Sequence, residues 1–125
     1  MKELNCDLWS MLLPAEWFAE QEDETVMIVD EDEASIIEIT PLLAEQGDSK
    51  ALLASLQDGK LSTSLAGLPA LYSEFVEDEM FWREWFCDAG GFVLAISHGC
   101  DESNRGMDDA AVDEMLATLL INEEA

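Results

Sequence analysis

The string His98-Gly99-Cys100 holds the side chains best suited to chemistry, because it places the chain's one histidine beside one of its three cysteines. A cysteine nucleophile needs an adjacent base and a third group that orients the base, and a zinc site needs three or four ligands. One hypothesis is therefore a metal or thiol site at His98 and Cys100, with Cys87 brought close from the end of the preceding strand. In the competing hypothesis His98 lies in a turn at a strand end, and the thiols, Cys6 included, are small buried apolar groups.

Four consecutive acidic residues, at positions 30–33, suggest a second chemistry, the binding of calcium. An EF-hand loop carries glycine at its sixth position and glutamate at its twelfth. A loop that begins at Asp30 has Ser35 and Pro41 at those positions, and a loop that begins at Asp101 also lacks the glutamate. The sequence therefore predicts no EF-hand site and no cofactor, and the four acids are interpreted as the solvated tip of a hairpin. Weak binding of a divalent cation by the clustered carboxylates is the alternative.

Acidic residues far outnumber basic ones: 29 Asp and Glu stand against five Lys and Arg, for a formal net charge of −24 in 125 residues. No basic residue lies between Lys2 and Lys50. Self-repulsion opposes the compact state, so the charge is attributed to solubility or to partners. It favours a basic protein or a cation as partner and argues against direct binding to nucleic acid or to an anionic membrane surface.

Much of the acid brackets two predicted turns. If both turns lie at one end of the sheet, they form a concentrated negative field that speeds encounter with a basic partner by ~10–10³. An evenly solvated surface that only keeps the protein soluble is the equal alternative. The residues predicted to steer such a partner are Asp30, Glu31, Asp32, Glu33, Glu77, Asp78 and Glu79.

The string Trp82-Arg83-Glu84-Trp85 provides the aromatic candidates for a partner interface. In a strand, Trp82 and Glu84 share one face, whereas Arg83 and Trp85 share the other. Exposed Trp and Arg are typical anchors of protein interfaces, so Trp82 and Trp85 are predicted anchors. The alternative places both Trp in the core, with Arg83 as an internal staple. In either case a carboxylate is expected to pair with Arg83, one of only five cations.

Runs of β-branched and aromatic residues predict the strands that position these groups. Trp17 and Phe18 are expected to plug the sheet edge before an acidic turn at 20–24, and Pro41 is expected to end strand pairing because it lacks an N–H. The predicted strands span residues 7–13, 25–29, 34–40, 70–76, 80–87 and 92–98.

Two helices complete the predicted architecture. One spans residues 49–57 with Asp48 as its N-cap. The other begins at Met107 or Asp108 and carries an apolar stripe of Val112, Met115, Leu116, Leu119 and Leu120. The resulting order, β-ββ-α-βββ-α, predicts a single α+β domain over residues 1–125, an antiparallel sheet flanked by helices.

Two stretches resemble a known family. Residues 8–17, Leu-Trp-Ser-Met-Leu-Leu-Pro-Ala-Glu-Trp, resemble the opening strand and Leu-Pro-x-x-Trp of small Mog1/PsbP-like domains. Residues 81–85, the strand at 92–97 and the closing helix resemble the later hairpin and terminal helix of uncharacterised bacterial proteins of that type. The resemblance implies a sandwich around an antiparallel sheet and a binding or accessory role, with no catalytic residues to carry over.

The leading prediction is a non-enzymatic, cytoplasmic binding protein of the immunity or inhibitor type that engages a basic protein surface. The sequence shows no secretory signal and no membrane span, and three cysteines favour reduced thiols over a disulfide framework. Three alternatives stay open: a nucleic-acid mimic that occupies a DNA-binding protein, the metal or thiol site at His98 and Cys100, and a structural or accessory subunit.

Overall fold

The structure, a computed structural model, describes residues 2–31 and 34–122. These residues form ten strands and two α-helices. Helix α1 spans Ser49–Ser55, and helix α2 spans Asp109–Ala117. The strands are β1 Lys2–Asn5, β2 Trp9–Leu13, β3 Trp17–Glu22, β4 Thr25–Asp30, β5 Ser35–Leu43, β6 Leu61–Leu65, β7 Leu68–Glu77, β8 Met80–Asp88, β9 Phe92–Asp101 and β10 Leu120–Ile121.

Seven of the strands form an antiparallel sheet in the order β3-β4-β5-β9-β8-β7-β6. Strands β1, β2 and β10 form a second antiparallel sheet, in which β2 lies in the middle. The predicted α+β class, an antiparallel sheet flanked by helices, is confirmed. The central pairing of β5 with β9 places the β4–β5 and β7–β8 hairpins on opposite sides of β9.

The core lies between the large sheet, the small sheet and α2. Every second residue of the long strands points toward it, because side chains alternate between the two faces of a strand. Ile37, Ile39 and Ile96 of this inner face pack in one cluster with residues of β2 and α2. The predicted stripe of α2 is buried except for Leu120, which lies in β10 and is 67% exposed.

Within residues 2–31 and 34–122, a helix covers one end of the opposite, outer face of the large sheet. Helix α1 packs there against β8 and β9, and the hydroxyl of Ser49 donates a hydrogen bond to Asp88 Oδ1 at 2.5 Å. The predicted cap of this helix is confirmed, since Asp48 Oδ1 accepts a hydrogen bond from the N–H of Ala51 at 3.1 Å. No helix in the described part of the chain is long and apolar enough to cross a bilayer.

Two predictions near the first hairpin are wrong. Trp17 and Phe18 open strand β3 instead of plugging the sheet edge, with Trp17 buried and Phe18 exposed. The acidic segment 20–24 continues β3 as far as Glu22, and the turn is confined to Asp23 and the following residue. The first strand of the small sheet, β1, was not predicted, because its four residues carry little apolar pattern.

Pro41 does not end β5, which is a third correction. It pairs with Leu94 of β9, and the strand continues to Leu43. The pairing of β5 with β4 stops earlier, at Ile39, so that Pro41 has a neighbouring strand on one side only. A missing N–H is tolerated where it faces away from a partner strand, and the sequence alone does not show which side that is.

Candidate functional site

Both acidic turns lie at the same end of the large sheet. The register pairs Ser35 of β5 with Cys100 of β9, and Met80 of β8 with Asp101 of β9. The β4–β5 connection and the β7–β8 turn therefore end at the same level, on either side of β9. We call this surface the acidic end; its described members are Asp30, Glu31, Glu77, Asp78, Glu79, Asp101 and Glu102.

The acids of the β4–β5 connection differ in their roles. Asp30 is half-buried, and its Oδ1 accepts hydrogen bonds from the N–H of Ala34 at 2.9 Å and of Ser35 at 3.4 Å. This carboxylate shapes the turn, while Glu31 is exposed to solvent. The predicted steering residues Asp32 and Glu33 lie outside the described residues.

The β7–β8 turn presents its three acids, Glu77, Asp78 and Glu79, to solvent. Asp78 and Glu79 adopt left-handed φ values of 53° and 66°, as expected for the two central residues of a tight hairpin turn. The carbonyl of Glu79 accepts a hydrogen bond from the N–H of Glu102 at 3.0 Å. This bond links the turn to the segment that follows β9 and holds their acidic side chains near one another.

The two predicted aromatic anchors lie on opposite faces of β8. Trp85 is 6% exposed on the inner face, and its ring lies 5.2 Å from that of Tyr72. It is a core residue, so its predicted role as an exposed anchor is wrong. Trp82 is half-buried on the outer face, where its indole lies across Gly99 of β9.

A polar cluster is buried beneath the inner face, around Arg83 and His98 of adjacent strands. Arg83 is 6% exposed and donates two hydrogen bonds of 3.2 Å, from Nε and Nη2, to His98 Nδ1. Its Nη1 donates to Asp113 Oδ1 of α2 at 3.0 Å, and its Nε lies 3.6 Å from Asp109 Oδ1. The predicted carboxylate partner of Arg83 is thus confirmed, and the cluster ties α2 to the sheet.

The chemistry of the guanidinium decides which tautomer His98 adopts. Because Arg83 can only donate, Nδ1 must accept, and the proton of the neutral imidazole lies on Nε2. Within the described residues, Nε2 has no hydrogen-bond partner. Burial, and then the charge of Arg83, lower the pKa of His98 from 6.5 to about 4, against the opposing effect of the nearby aspartates.

The structure separates two of the cysteines that the thiol-site hypothesis brought together. Cys87 pairs with Leu94 near one end of β9, whereas Cys100 lies six residues further along that strand, ~20 Å away. The predicted proximity of Cys87 to Cys100 is therefore wrong. Burial raises the pKa of Cys87 to about 12, and burial together with the charge of Asp109 raises the pKa of Cys100. Both effects oppose the thiolate that a nucleophile or a zinc ligand needs.

A cavity lies at the other end of the large sheet. It measures about 550 Å³ and is lined by residues that include Cys6, Asp7, Trp9, Asp23 and Glu24. In residues 2–31 and 34–122, no group of three or more His, Cys, Asp or Glu side chains is arranged to hold a metal ion. The cavity therefore joins an acidic rim to an apolar wall.

The contact between Arg83 and His98 was not predicted, although one signal for it was present in the sequence. Arg83 alternates with Phe81, Trp85 and Cys87, so it occupies an inward-facing position of β8. A charged residue in such a position must find buried partners. Only the register of β8 with β9 identifies that partner as His98.

Comparisons with solved structures show the fold. A protein from Bacteroides thetaiotaomicron matches with a TM-score of 0.72 and 18% identity, over 93% of this chain and 46% of its own. Cyanobacterial PsbP (CyanoP) from Synechocystis sp. PCC 6803 matches with a TM-score of 0.61 and 10% identity, over 91% of this chain and 86% of its own. LpqN, involved in cell envelope biogenesis of Mycobacterium tuberculosis, matches with a TM-score of 0.62 and 14% identity, over 92% of this chain and 83% of its own.

The chain has the Mog1/PsbP-like fold that its sequence resembles. It corresponds to less than half of the length of the Bacteroides protein. No protein-family model and no curated protein matches the sequence. At these identities the similarity concerns the fold alone, so function must be argued from the surface itself.

Proposed function

We propose that the protein is a non-enzymatic binding protein that engages a basic partner protein through its acidic end. The observation that carries the proposal is the position of two acidic turns, together with Asp101 and Glu102, at one end of one sheet. Charges gathered on one end produce a directed field, which raises the rate of encounter with a partner of opposite charge.

The cations near this end leave its carboxylates available. Lys2 Nζ donates a hydrogen bond to the carbonyl of Trp17 at 2.6 Å, and Arg105 Nη2 lies 3.9 Å from Glu74 Oε1. Within the described residues, no member of the acidic end forms an ion pair. Lys and Arg side chains of a partner could therefore approach these carboxylates without displacing an internal cation.

An inhibitor or immunity protein of the cytoplasm is the form of this function that we favour. Such a protein must bind its target quickly, and electrostatic steering raises the association rate before any short-range contact forms. The three cysteines are free thiols in the structure, which suits a reducing compartment.

A charge-matched pair of variants tests the proposal. The first, Glu31→Gln/Glu77→Gln/Asp78→Asn/Glu79→Gln, neutralises four exposed acids of the acidic end. The second neutralises four exposed acids elsewhere on the chain: Glu22→Gln, Glu24→Gln, Glu45→Gln and Asp58→Asn. Both lose the same formal charge, so only the position of the charge differs.

Affinity capture from the native cell, read by mass spectrometry at low and high salt, is the measurement. We expect the acidic-end variant to lose the salt-sensitive partners and the second variant to keep them. Equal amounts of the same partners with both variants would show that the acidic end has no special role. If the captured partners bind DNA, and if added DNA displaces them from this protein, the result would instead support the nucleic-acid mimic.

A further inference from the structure

We propose that an apolar stripe across the outer face of the large sheet docks a basic amphipathic helix of the partner. This inference rests on the proposed function, because it names the docking surface and the segment that a basic partner would present there. The stripe crosses six neighbouring strands, from β3 to β7, and consists of Phe18, Val29, Ile36, Gly99, Trp82 and Phe75.

The strand register places these residues in one continuous row. Each is the direct cross-strand partner of the next, beginning with Phe18 and Val29 and ending with Trp82 and Phe75. No polar side chain interrupts the row. Residues in such a row lie on the same face of the sheet, so their apolar side chains form a single surface.

This surface is open to solvent. Phe18 is 51% exposed and Phe75 is 38% exposed, while Val29, Ile36 and Trp82 are half-buried. Helix α1 covers the other end of the outer face, near Asp88. At the end of the stripe, Lys2 Nζ lies 4.3 Å from the centre of the Phe18 ring. An exposed apolar surface with polar borders is typical of an interaction site.

Gly99 fixes the shape of the middle of the stripe. A Cβ atom at this position would lie 2.5 Å from Trp82 Cζ3, so the indole lies directly on the backbone of β9. Two shallow hollows lie along the stripe. Trp82 and Phe75 line the first, of about 320 Å³. Gly99 and Ile36 line the second, of about 280 Å³, and Met80 contributes to both. The indole is thus held flat as a platform, with room beside it and next to Gly99 for the side chains of a partner.

Carboxylates border the stripe along both of its long sides. The neighbouring row toward the sheet's far end contains Glu20, Glu38 and Glu84, and the row toward the acidic end contains Glu77 and Asp101. In the part of the chain that the structure describes, none of these five carboxylates forms an ion pair. The complementary surface is an apolar ridge with Lys or Arg on both flanks.

The charge also decides between occupants. A second copy of this chain would bring the same carboxylate rows against each other, and like charges across an interface oppose association. An anionic lipid surface would be repelled in the same way. A basic segment of another protein gains from both the stripe and its borders.

The geometry favours a helix over an extended strand. Five strand spacings give the stripe a length of ~24 Å, which a helix of ~16 residues would match. A helix satisfies its own backbone hydrogen bonds, so it can lie across the face of a sheet, whereas an added strand needs a free sheet edge. Basic flanks on either side of an apolar face are the pattern of a basic amphipathic helix.

Synthetic peptides of ~16 residues provide the probe. One has Leu on one helical face and Lys on both flanks, the second has the same composition in an order without an apolar face, and the third has Glu in place of Lys. Binding is measured by fluorescence anisotropy of labelled peptide. We expect the first peptide to bind at least about tenfold more tightly than the second, and the third not to bind.

Two adjacent apolar residues of β7 provide a matched pair of variants. Phe75 belongs to the stripe, whereas Val76 pairs with Phe81 on the other face and is 50% exposed. We expect Phe75→Gln to weaken binding of the amphipathic peptide about tenfold. We expect Val76→Gln to change the affinity by less than about twofold from that of the wild-type protein. Because both side chains are exposed, urea unfolding is expected to show that both variants fold.

A second pair of variants addresses the borders. Glu38→Gln/Glu84→Gln removes two border charges, and Glu22→Gln/Glu24→Gln removes two charges outside the stripe and its borders. We expect the first pair to weaken peptide binding more than the second at low salt, and the difference to shrink as salt rises.

Equal affinity for the two basic peptides, or undiminished binding by Phe75→Gln, would overturn the stripe as a docking surface. Partner capture separates this failure from that of the proposed function. If the acidic-end variant loses the captured partners but Phe75→Gln keeps them, only the stripe as a docking surface is overturned. Capture unchanged in both variants overturns the proposed function, and the docking surface with it.

Discussion

His98 shows how neighbouring groups can hold one buried imidazole in its neutral form. Its Nδ1 accepts two hydrogen bonds from Arg83, so a second proton on the ring would break both bonds and set two cations together. Burial adds the cost of removing the charged ring from water. The single histidine of the chain is therefore better explained as part of the junction between the sheet and α2 than as a general base.

The stability of the protein is expected to fall as pH drops from about 6.5 to about 4. The pKa of His98 is about 4 in the folded protein and 6.5 in the unfolded chain, so the unfolded state binds more protons within this window. The groups that face the ring are Arg83, Asp108, Asp109 and Asp113. Relative to His98→Gln, the wild-type protein should lose about 2 kcal/mol of unfolding free energy between pH 7 and pH 5.

Urea unfolding of both proteins over this pH range is the measurement. The carboxylates titrate in both, so their contribution cancels in the difference. If the difference in unfolding free energy between the two proteins does not change with pH, His98 is accessible to protons in the folded state.

The three thiols are expected to react in a fixed order. Cys6 is half-buried, whereas Cys87 is fully buried and Cys100 is 3% exposed. Burial raises the pKa of all three thiols, which lowers the fraction of reactive thiolate. Ellman's reagent should label Cys6 slowly in the native protein and the other two only in urea. Rapid native labelling of Cys100 in a Cys6→Ser variant would restore the thiol-site hypothesis.

Strand β8 shows what an alternating pattern can and cannot predict. The pattern correctly assigned Trp82 and Glu84 to one face and Arg83 and Trp85 to the other. Which face is the core depends on where α2 and the small sheet pack, and these contacts are far apart along the chain. The sequence alone therefore could not separate Trp85, a core residue, from Trp82, a surface residue.

Gly99 and Trp82 should be energetically coupled across strands β9 and β8. Gly99→Ala forces a methyl group into the position of the indole, and overpacking of this kind costs about 1–3 kcal/mol. In a Trp82→Leu background the ring is absent, so the same substitution should cost less. A double-mutant cycle in urea should give a coupling of at least about 1 kcal/mol. Additive effects would mean that the indole moves freely away from β9.

The acidic end illustrates how far the sequence determines the candidate site. The charges and the two hairpin turns could be predicted from local composition. Their position at the same end of the sheet depends on the pairing of β5 with β9, and those strands are separated by α1 and three other strands. The apolar stripe was not predicted for the same reason, since Phe18 and Phe75 become part of one surface only through five successive strand registers.

Salt is expected to stabilise the whole molecule. A net charge of −24 on 125 residues makes repulsion between carboxylates the dominant long-range interaction, and counter-ions screen it. The urea midpoint should rise between about 0.02 M and about 0.5 M NaCl, with an unchanged m-value that shows the same surface exposed on unfolding. A midpoint that falls with salt would mean that ion pairs such as Arg83 with Asp113 outweigh the repulsion.

The two variants that each neutralise four acids indicate where that repulsion is strongest. Both remove four negative charges, but those of the acidic end lie close together on adjacent turns and the others are spread along the chain. Repulsion grows as charges approach one another, so neutralising the acidic end should stabilise the protein more at low salt and flatten its salt dependence more. A concentration of charge that destabilises the folded state is expected where the charge serves a partner. Equal salt dependence in the two variants would instead favour an evenly solvated acidic surface.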